Sequence, residues 1–187
     1  MKKLFLAASG LFAAVPGLII LQTGLGTPPG SNYKMLFGGT IEAFGALALL
    51  LLWVNRASIR KMRPRRVTRW AVVAVIVCFV SVALYIALFS LCVKRNEKWR
   101  ATVYFPLWLN GEVAEMVNDR GGRNAAIDAY GPADVIEAIN QMPGGDIALP
   151  VTTILHLLLY QSIFTSLAVA FGILGIHQGH ALSSRQP

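Results

Sequence analysis

The residues best suited to chemistry lie inside two apolar segments. Glu42 is the one acid in the run 35–54, and His156 is the one histidine in the run 149–176. A carboxyl group beside an imidazole can share a proton with it, and hydrocarbon penalises either group when it has no partner. We therefore expect both side chains to point into protein, where they meet, and not into lipid.

Helical spacing brings several hydroxyl groups to the same depth as this pair. Thr152, Thr153 and Tyr160 fall close to His156 on a helical wheel, and Tyr85 lies at a comparable depth on another predicted helix. The predicted polar intramembrane layer consists of Glu42, His156, Tyr160, Tyr85, Thr152 and Thr153. Such a layer is either a hydrogen-bonded cluster that specifies helix packing or the lining of a proton-coupled gate, and the sequence leaves both alternatives open.

Catalytic and metal-binding patterns are missing from the sequence. It contains no HExxH, GxSxG or CxxC motif and no phosphate-binding glycine loop. His177 and His180 are spaced for one helix face, but two ligands alone do not define a metal site. We predict that the chain is not an enzyme and that it holds no metal and no cofactor.

Four apolar runs would position these residues. A helix needs about 20 predominantly apolar residues to cross a bilayer. Hydrophobic residues make up 55% of the chain and charged residues only 14%, and the predicted spans are 4–21, 35–54, 70–93 and 149–176. The charged start and the first run also resemble a signal peptide, but that run is long and no small-x-small cleavage site follows, so we expect it to be retained as the first transmembrane helix.

The predicted fold is an all-α integral membrane protein: four transmembrane helices with a small helical extramembrane cap between helices three and four. Its parts are residues 1–93 with helices one to three and short loops, the extracytoplasmic cap 94–148, and residues 149–187 with helix four and a short cytoplasmic tail. Within the cap, glycine and proline positions predict short helices over 112–119, 124–130 and 133–142. The last of these places four apolar residues on one face: Val135, Ile136, Ile139 and Met142.

Small residues indicate where the predicted helices approach one another. Gly38, Gly39, Gly45 and Ala46 share the face of Glu42, and Ala168 with Gly172 forms a small-x-x-x-small pattern in the fourth helix. Because small residues let helix backbones come close, we predict helix packing at these six positions.

Basic and aromatic residues predict the orientation. Seven basic residues without an acid lie between the second and third helices: Arg56, Arg60, Lys61, Arg63, Arg65, Arg66 and Arg69. The positive-inside rule places this lipid-facing basic loop and both termini in the cytoplasm, which suits a bacterial inner membrane. No aromatic or glycine pattern accompanies the charges, so we expect anionic lipid and no nucleic acid as the partner. Interfacial aromatic residues are predicted at Trp53, Trp70, Trp99 and Trp108.

These features leave two functions from different classes. In the first, several copies assemble into an oligomeric channel or permeability-altering membrane effector, because one subunit of four helices leaves no room for a water-filled lumen. In the second, the chain is a non-catalytic accessory or assembly subunit that docks a larger membrane complex through its cap. The sequence favours the first function, and with it a homo-oligomer.

Overall fold

A computed structural model describes residues 2–24, 27–29 and 31–183 of the protein. The elements in chain order are α1 (Lys2–Thr23), α2 (Ser31–Val54), α3 (Arg56–Lys61), α4 (Pro64–Cys92), β1 (Val93–Asn96), β2 (Ala101–Tyr104), α5 (Gly111–Asp119), α6 (Arg123–Tyr130), α7 (Pro132–Gln141) and α8 (Gly145–Ser183). Four of these helices, α1, α2, α4 and α8, are long and apolar enough to cross a membrane, as the sequence predicts. The chain is therefore predominantly helical and has the composition of a membrane protein.

The helices extend further than the apolar runs. α4 begins at Pro64, six residues before the predicted start, and α8 continues from Gly145 to Ser183. The segment 55–69, predicted as a loop, is helical over Arg56–Lys61 and again from Pro64. Proline suits the first position of a helix and arginine is a good helix former, so a change from apolar to basic residues does not end a helix.

The prediction of an all-helical cap was wrong in one part, because α4 leads directly into an antiparallel hairpin. β1 pairs with β2 in the register Asn96↔Ala101, so that four residues form the turn. Asn96 Oδ1 accepts a hydrogen bond from the Trp99 amide at 3.1 Å, and Arg100 adopts a φ of +48°. A side chain that bonds its own turn in this way stabilises a short hairpin loop. Trp99 lies at this turn.

Three short helices, α5, α6 and α7, follow where the sequence predicts them, and they enclose a core of their own. That core is built from nine buried residues: Val103, Phe105, Val113, Ile127, Val135, Ala138, Ile139, Met142 and Ala148. The predicted apolar face of α7 holds except at Ile136, whose side chain is 43% exposed. The location of this part of the chain outside the membrane stays a prediction.

The chain divides into two compact units. We call residues 28–30 and Leu84–Leu158 the mixed unit, since it contains the hairpin, and the remaining residues the helical unit. Each unit has its own packing.

In the helical unit, glycine residues bring α1 and α2 together. A Cβ at Gly45 would overlap the Ala13 carbonyl oxygen, and a Cβ at Gly38 would lie 3.0 Å from the Gly17 carbonyl oxygen. Backbones approach this closely only where a side chain is missing. Gly39 and Ala46, by contrast, are exposed, and nothing lies within 4 Å of a Cβ at Gly39. The structure therefore uses two of the four small residues predicted on this face, because the face is narrower than the helical wheel suggests.

The second half of α8 packs on α1 in the same unit. Ser9 Oγ donates a hydrogen bond to the Ala168 carbonyl oxygen at 2.7 Å, and the rings of Phe12 and Phe171 stack with centroids 5.5 Å apart. A Cβ at Gly172 would overlap the Leu52 side chain. Ala168 and Gly172, the small residues of this pattern, thus contact α1 and α2 of the same chain.

Candidate functional site

His156 is the most enclosed polar side chain that the sequence singles out. It lies on α8 in the mixed unit and is fully buried. Two elements of the same unit supply its surroundings: the end of α4 contributes Tyr85 and Phe89, which are four residues apart and so share a helix face, and the end of β2 contributes Tyr104. The hairpin therefore completes this site.

The hydrogen bonds of His156 assign its tautomer. Nδ1 lies 2.9 Å from the Thr152 carbonyl oxygen, and a carbonyl oxygen can only accept, so we assign the ring proton to Nδ1. The hydroxyl oxygen of Tyr104 lies 3.2 Å from the same nitrogen. In a neutral ring Nε2 then carries a lone pair, and this atom is buried without a hydrogen-bond partner in the described part of the chain.

Three aromatic rings surround the imidazole. Tyr85, Tyr104 and Phe89 have ring centroids 5.6, 5.7 and 6.2 Å from that of His156, with interplanar angles of 87°, 67° and 79°. Such edge-to-face contacts favour a fixed ring orientation. The imidazole is held as part of the core.

The two threonines near His156 on α8 contact the end of β2 and the segment that follows it. Thr152 Oγ1 accepts a hydrogen bond from the Leu107 amide at 2.8 Å and donates one to the Ala148 carbonyl oxygen at 2.7 Å. Thr153 Oγ1 donates to the Leu149 carbonyl oxygen at 2.9 Å and lies 3.4 Å from the Tyr104 hydroxyl oxygen. The bond to the Leu107 amide is partly buried, and an amide that loses its partner in such a position costs free energy, so Thr152 fixes the position of the Leu107 backbone.

Arg123, which the sequence did not single out, holds the same segment from the other side. Its guanidinium donates hydrogen bonds to the carbonyl oxygens of Leu91 at 2.6 Å and of Pro106 and Leu107 at 3.1 Å each, and it lies 5.3 Å from the centroid of the Phe105 ring. The Leu91 carbonyl belongs to the last turn of α4, where helix carbonyls have no partner within the helix. Arg123, the first residue of α6, thereby ties the end of α4 and the segment after β2 to the start of α6.

Glu42 belongs to the helical unit, where its methylene groups pack over Gly17 of α1. The side chain is partly exposed, and its carboxyl group has no hydrogen bond or ion pair among the described residues. Tyr160 also lies in this unit, with its ring centroid 5.9 Å from that of Phe37 and 5.3 Å from that of Phe164.

The six residues of the predicted polar layer belong to both units. The structure brings Tyr85, Thr152 and Thr153 together with His156 in the mixed unit, and it places Glu42 and Tyr160 in the helical unit. The meeting of all six side chains in one layer stays a prediction.

Metal-ligating side chains and cysteines lie apart in the part of the chain that the structure describes. Within the described ranges, no three His, Cys, Asp or Glu side chains converge, and Cys78 and Cys92 are both free and buried. Of the histidine pair near the C-terminus, the side chain of His180 lies outside the described residues.

No protein-family model matches this chain. No curated protein and no solved structure matches it either.

Proposed function

We propose that this chain is a non-catalytic accessory or assembly subunit of a larger membrane complex, and that it docks through the mixed unit. The observation that carries the proposal is the use of the polar residues around His156. Thr152 fastens the segment after β2 to α8, and Arg123 secures the same segment. Tyr104, at the end of β2, contacts His156 on α8. Side chains that fix the position of a domain also fix the position of its outer surface, through which the domain docks to a partner.

The surface of the mixed unit suits a protein partner. Outside the four candidate spans, the exposed large apolar side chains of the described residues are Trp99, Trp108 and Ile136, at 49%, 38% and 43% exposure, and all three belong to this unit. Tryptophan is enriched among the residues that dominate binding energy at protein interfaces.

Acidic residues lie on the helices of the same surface. Six exposed acids are spread over α5, α6 and α7: Glu112, Glu115, Asp119, Asp128, Asp134 and Glu137. Residues 94–148 hold eight of the nine acids of the chain and six basic residues, a net charge of −2 in a chain of +8. We therefore expect a partner surface that offers apolar pockets within a basic rim.

A channel or permeability-altering effector is the second candidate, and Glu42 is the observation that favours it. A carboxyl group without a partner in the described chain, inside a candidate span, is costly unless it has a task. However, Gly38, Gly45 and Gly172, where small residues could let helices of separate copies approach, contact other helices of the same chain. An oligomeric pore would need different faces.

Three measurements separate these functions. The full chain purified in detergent should have the mass of a monomer, and in liposomes it should not dissipate an ion gradient. In membranes of the organism that encodes it, the chain should migrate in a larger complex. That complex should dissociate in Ile136→Glu and persist in Ala133→Glu, which adds the same charge to an exposed position of the same helix.

The channel would replace the accessory function under a different result. An oligomer in detergent whose ion flux disappears in Glu42→Gln would overturn the proposal. Equal loss of the complex in Ile136→Glu and Ala133→Glu would remove the docking surface from it.

A further inference from the structure

A groove on the helical unit is apolar along most of its length and basic at one end. It lies between α1, α2 and α8, ends at α3, and has a volume of about 330 Å³. Leu6, Leu49 and Ile176 line its apolar part, and Arg56 and Arg60 line its end. A volume of this size is in the range of small-molecule sites, which is roughly 300–1,000 Å³.

The basic end is not neutralised by the chain. Arg56 and Arg60 are exposed, are one helical turn apart on α3, and form no ion pair within the part of the chain that the structure describes. The guanidinium of Arg56 lies 4.7 Å from the centroid of the Trp53 ring, which orients it at the end of the groove. The sequence contains no acid between Glu42 and Glu97.

We propose that this groove binds an anionic glycerophospholipid. One acyl chain lies along Leu6, Leu49 and Ile176, and the headgroup phosphate accepts hydrogen bonds from Arg56 and Arg60. Guanidinium groups bind phosphate through paired hydrogen bonds, and basic pockets between transmembrane helices recognise anionic headgroups. An acyl chain and a phosphate in one molecule match an apolar groove with two arginines at its end.

The site differs from a general attraction between the basic segment and a negative membrane surface. Surface attraction depends on the number of charges near the membrane, and any of the seven basic residues of 55–69 would contribute to it. Binding at a specific site instead depends on Arg56 and Arg60 and on a groove that no side chain fills. The proposal is independent of the docking function of the mixed unit, which involves other residues.

Gly10 provides a variant that fills the groove. It lines the groove on α1, and nothing lies within 4 Å of a Cβ built there, so Gly10→Leu places a side chain in open space. Gly39→Leu is the matched control, because Gly39 is also a helical glycine with nothing within 4 Å and it does not line the groove. Replacement of glycine inside a helix also favours the helix, so neither variant should unfold the protein.

The experiment titrates the full chain in detergent with dioleoylphosphatidylglycerol or dioleoylphosphatidylcholine and counts bound lipid by native mass spectrometry. We expect the double variant R56Q/R60Q to bind phosphatidylglycerol about tenfold to thirtyfold more weakly than the wild type. G10L should lose binding by a similar factor. The controls R63Q/R65Q, which removes the same charge from the same segment, and G39L should stay within about twofold of the wild type.

Several results would overturn the site. If R63Q/R65Q and R56Q/R60Q lose equal affinity for phosphatidylglycerol, the binding is a general attraction to charge and not a specific site. If G10L binds phosphatidylglycerol as the wild type does, the acyl chain does not lie in the groove. Inorganic phosphate gives a further arm: phosphatidylglycerol should raise the melting temperature of the wild type and phosphate alone should not. If phosphate protects as well as the lipid does, the site is an anion site and the proposal fails.

Discussion

The hydrogen bond from the Leu107 amide to Thr152 Oγ1 should contribute strongly to the stability of the mixed unit. Thr152→Val keeps the shape of the side chain and removes the oxygen that accepts this bond at 2.8 Å. The Thr152 side chain is fully buried, so the Leu107 amide would lose its buried acceptor. The hydrogen bond as a whole is partly buried. Leaving its donor unsatisfied should cost about 1–3 kcal/mol, and we expect the mixed unit to lose stability by this amount.

The neighbouring threonine is a matched control. Thr153 Oγ1 donates to a helix carbonyl, and its distance to the Tyr104 hydroxyl oxygen is 3.4 Å, too long for a strong hydrogen bond. Thr153→Val leaves no backbone amide without a partner. We therefore expect it to cost less than about 1 kcal/mol.

The two free cysteines allow this loss to be measured in each unit separately. Cys92 is buried in the mixed unit, and its carbonyl oxygen accepts a hydrogen bond from the Phe105 amide at 2.8 Å, two residues before Leu107. Cys78 is buried in the helical unit. In a Cys78→Ala background, the rate at which a maleimide labels Cys92 reports the opening of the mixed unit.

A cost of about 1–3 kcal/mol predicts that Thr152→Val labels Cys92 roughly 5-fold to 150-fold faster, and that Thr153→Val labels it less than about 5-fold faster. In a Cys92→Ala background the same two variants should leave the labelling of Cys78 unchanged. Equal rates for the two threonine variants, or an unchanged rate for Thr152→Val, would refute the reasoning that this hydrogen bond fastens the segment after β2.

Three further tests by substitution have expected outcomes. Gly45→Ala should destabilise the protein by about 1–3 kcal/mol because its Cβ overlaps the Ala13 carbonyl oxygen, whereas Gly39→Ala should not, and thermal unfolding in detergent compares them. Arg123→Met removes the donor to three carbonyl oxygens and should cost about 2 kcal/mol or more, with Arg123→Lys in between; equal stability of all three proteins would contradict this role. Glu42→Gln should be at least as stable as the wild type in lipid, since the carboxyl group has no partner among the described residues, and a lower melting temperature would reveal an ion pair.

The four long apolar helices could be predicted because hydropathy is a local property. A run of about 20 apolar residues predicts a helix that is long enough to cross a bilayer, whatever the rest of the chain does. The ends of the spans were less certain, since the basic residues after Pro64 continue α4 where the sequence suggested a loop. The short helices α5–α7 could also be predicted, because glycine and proline mark helix ends locally in the sequence.

The hairpin could not be predicted in this way. β1 reads VKRN, in which two basic residues obscure the alternation of a strand, and each strand has only four residues. The pairing of Val93 with Tyr104 depends on a contact between residues distant in sequence. The surroundings of His156 were therefore only partly found: Tyr85, Thr152 and Thr153 follow from helical spacing, whereas Tyr104 requires the hairpin.

Arg123 gave no signal in the sequence at all. It follows Gly121 and Gly122 and reads as an ordinary surface residue at the start of a short helix. Its guanidinium donates hydrogen bonds to three carbonyl oxygens on two other segments of the chain. Only the folded structure brings these segments together.

The direct passage from α4 into β1 restricts how the length of this helix can vary. Val93 begins the strand immediately after Cys92 ends the helix, with no connecting residue to absorb a change. Each helical residue turns the chain by about 100° and advances it by about 1.5 Å, so an insertion or deletion in the last turns would rotate the hairpin away from its neighbours. Adaptation of this span to a thicker or thinner bilayer should therefore occur through changes at its Pro64 end, and gaps among divergent homologues should concentrate there.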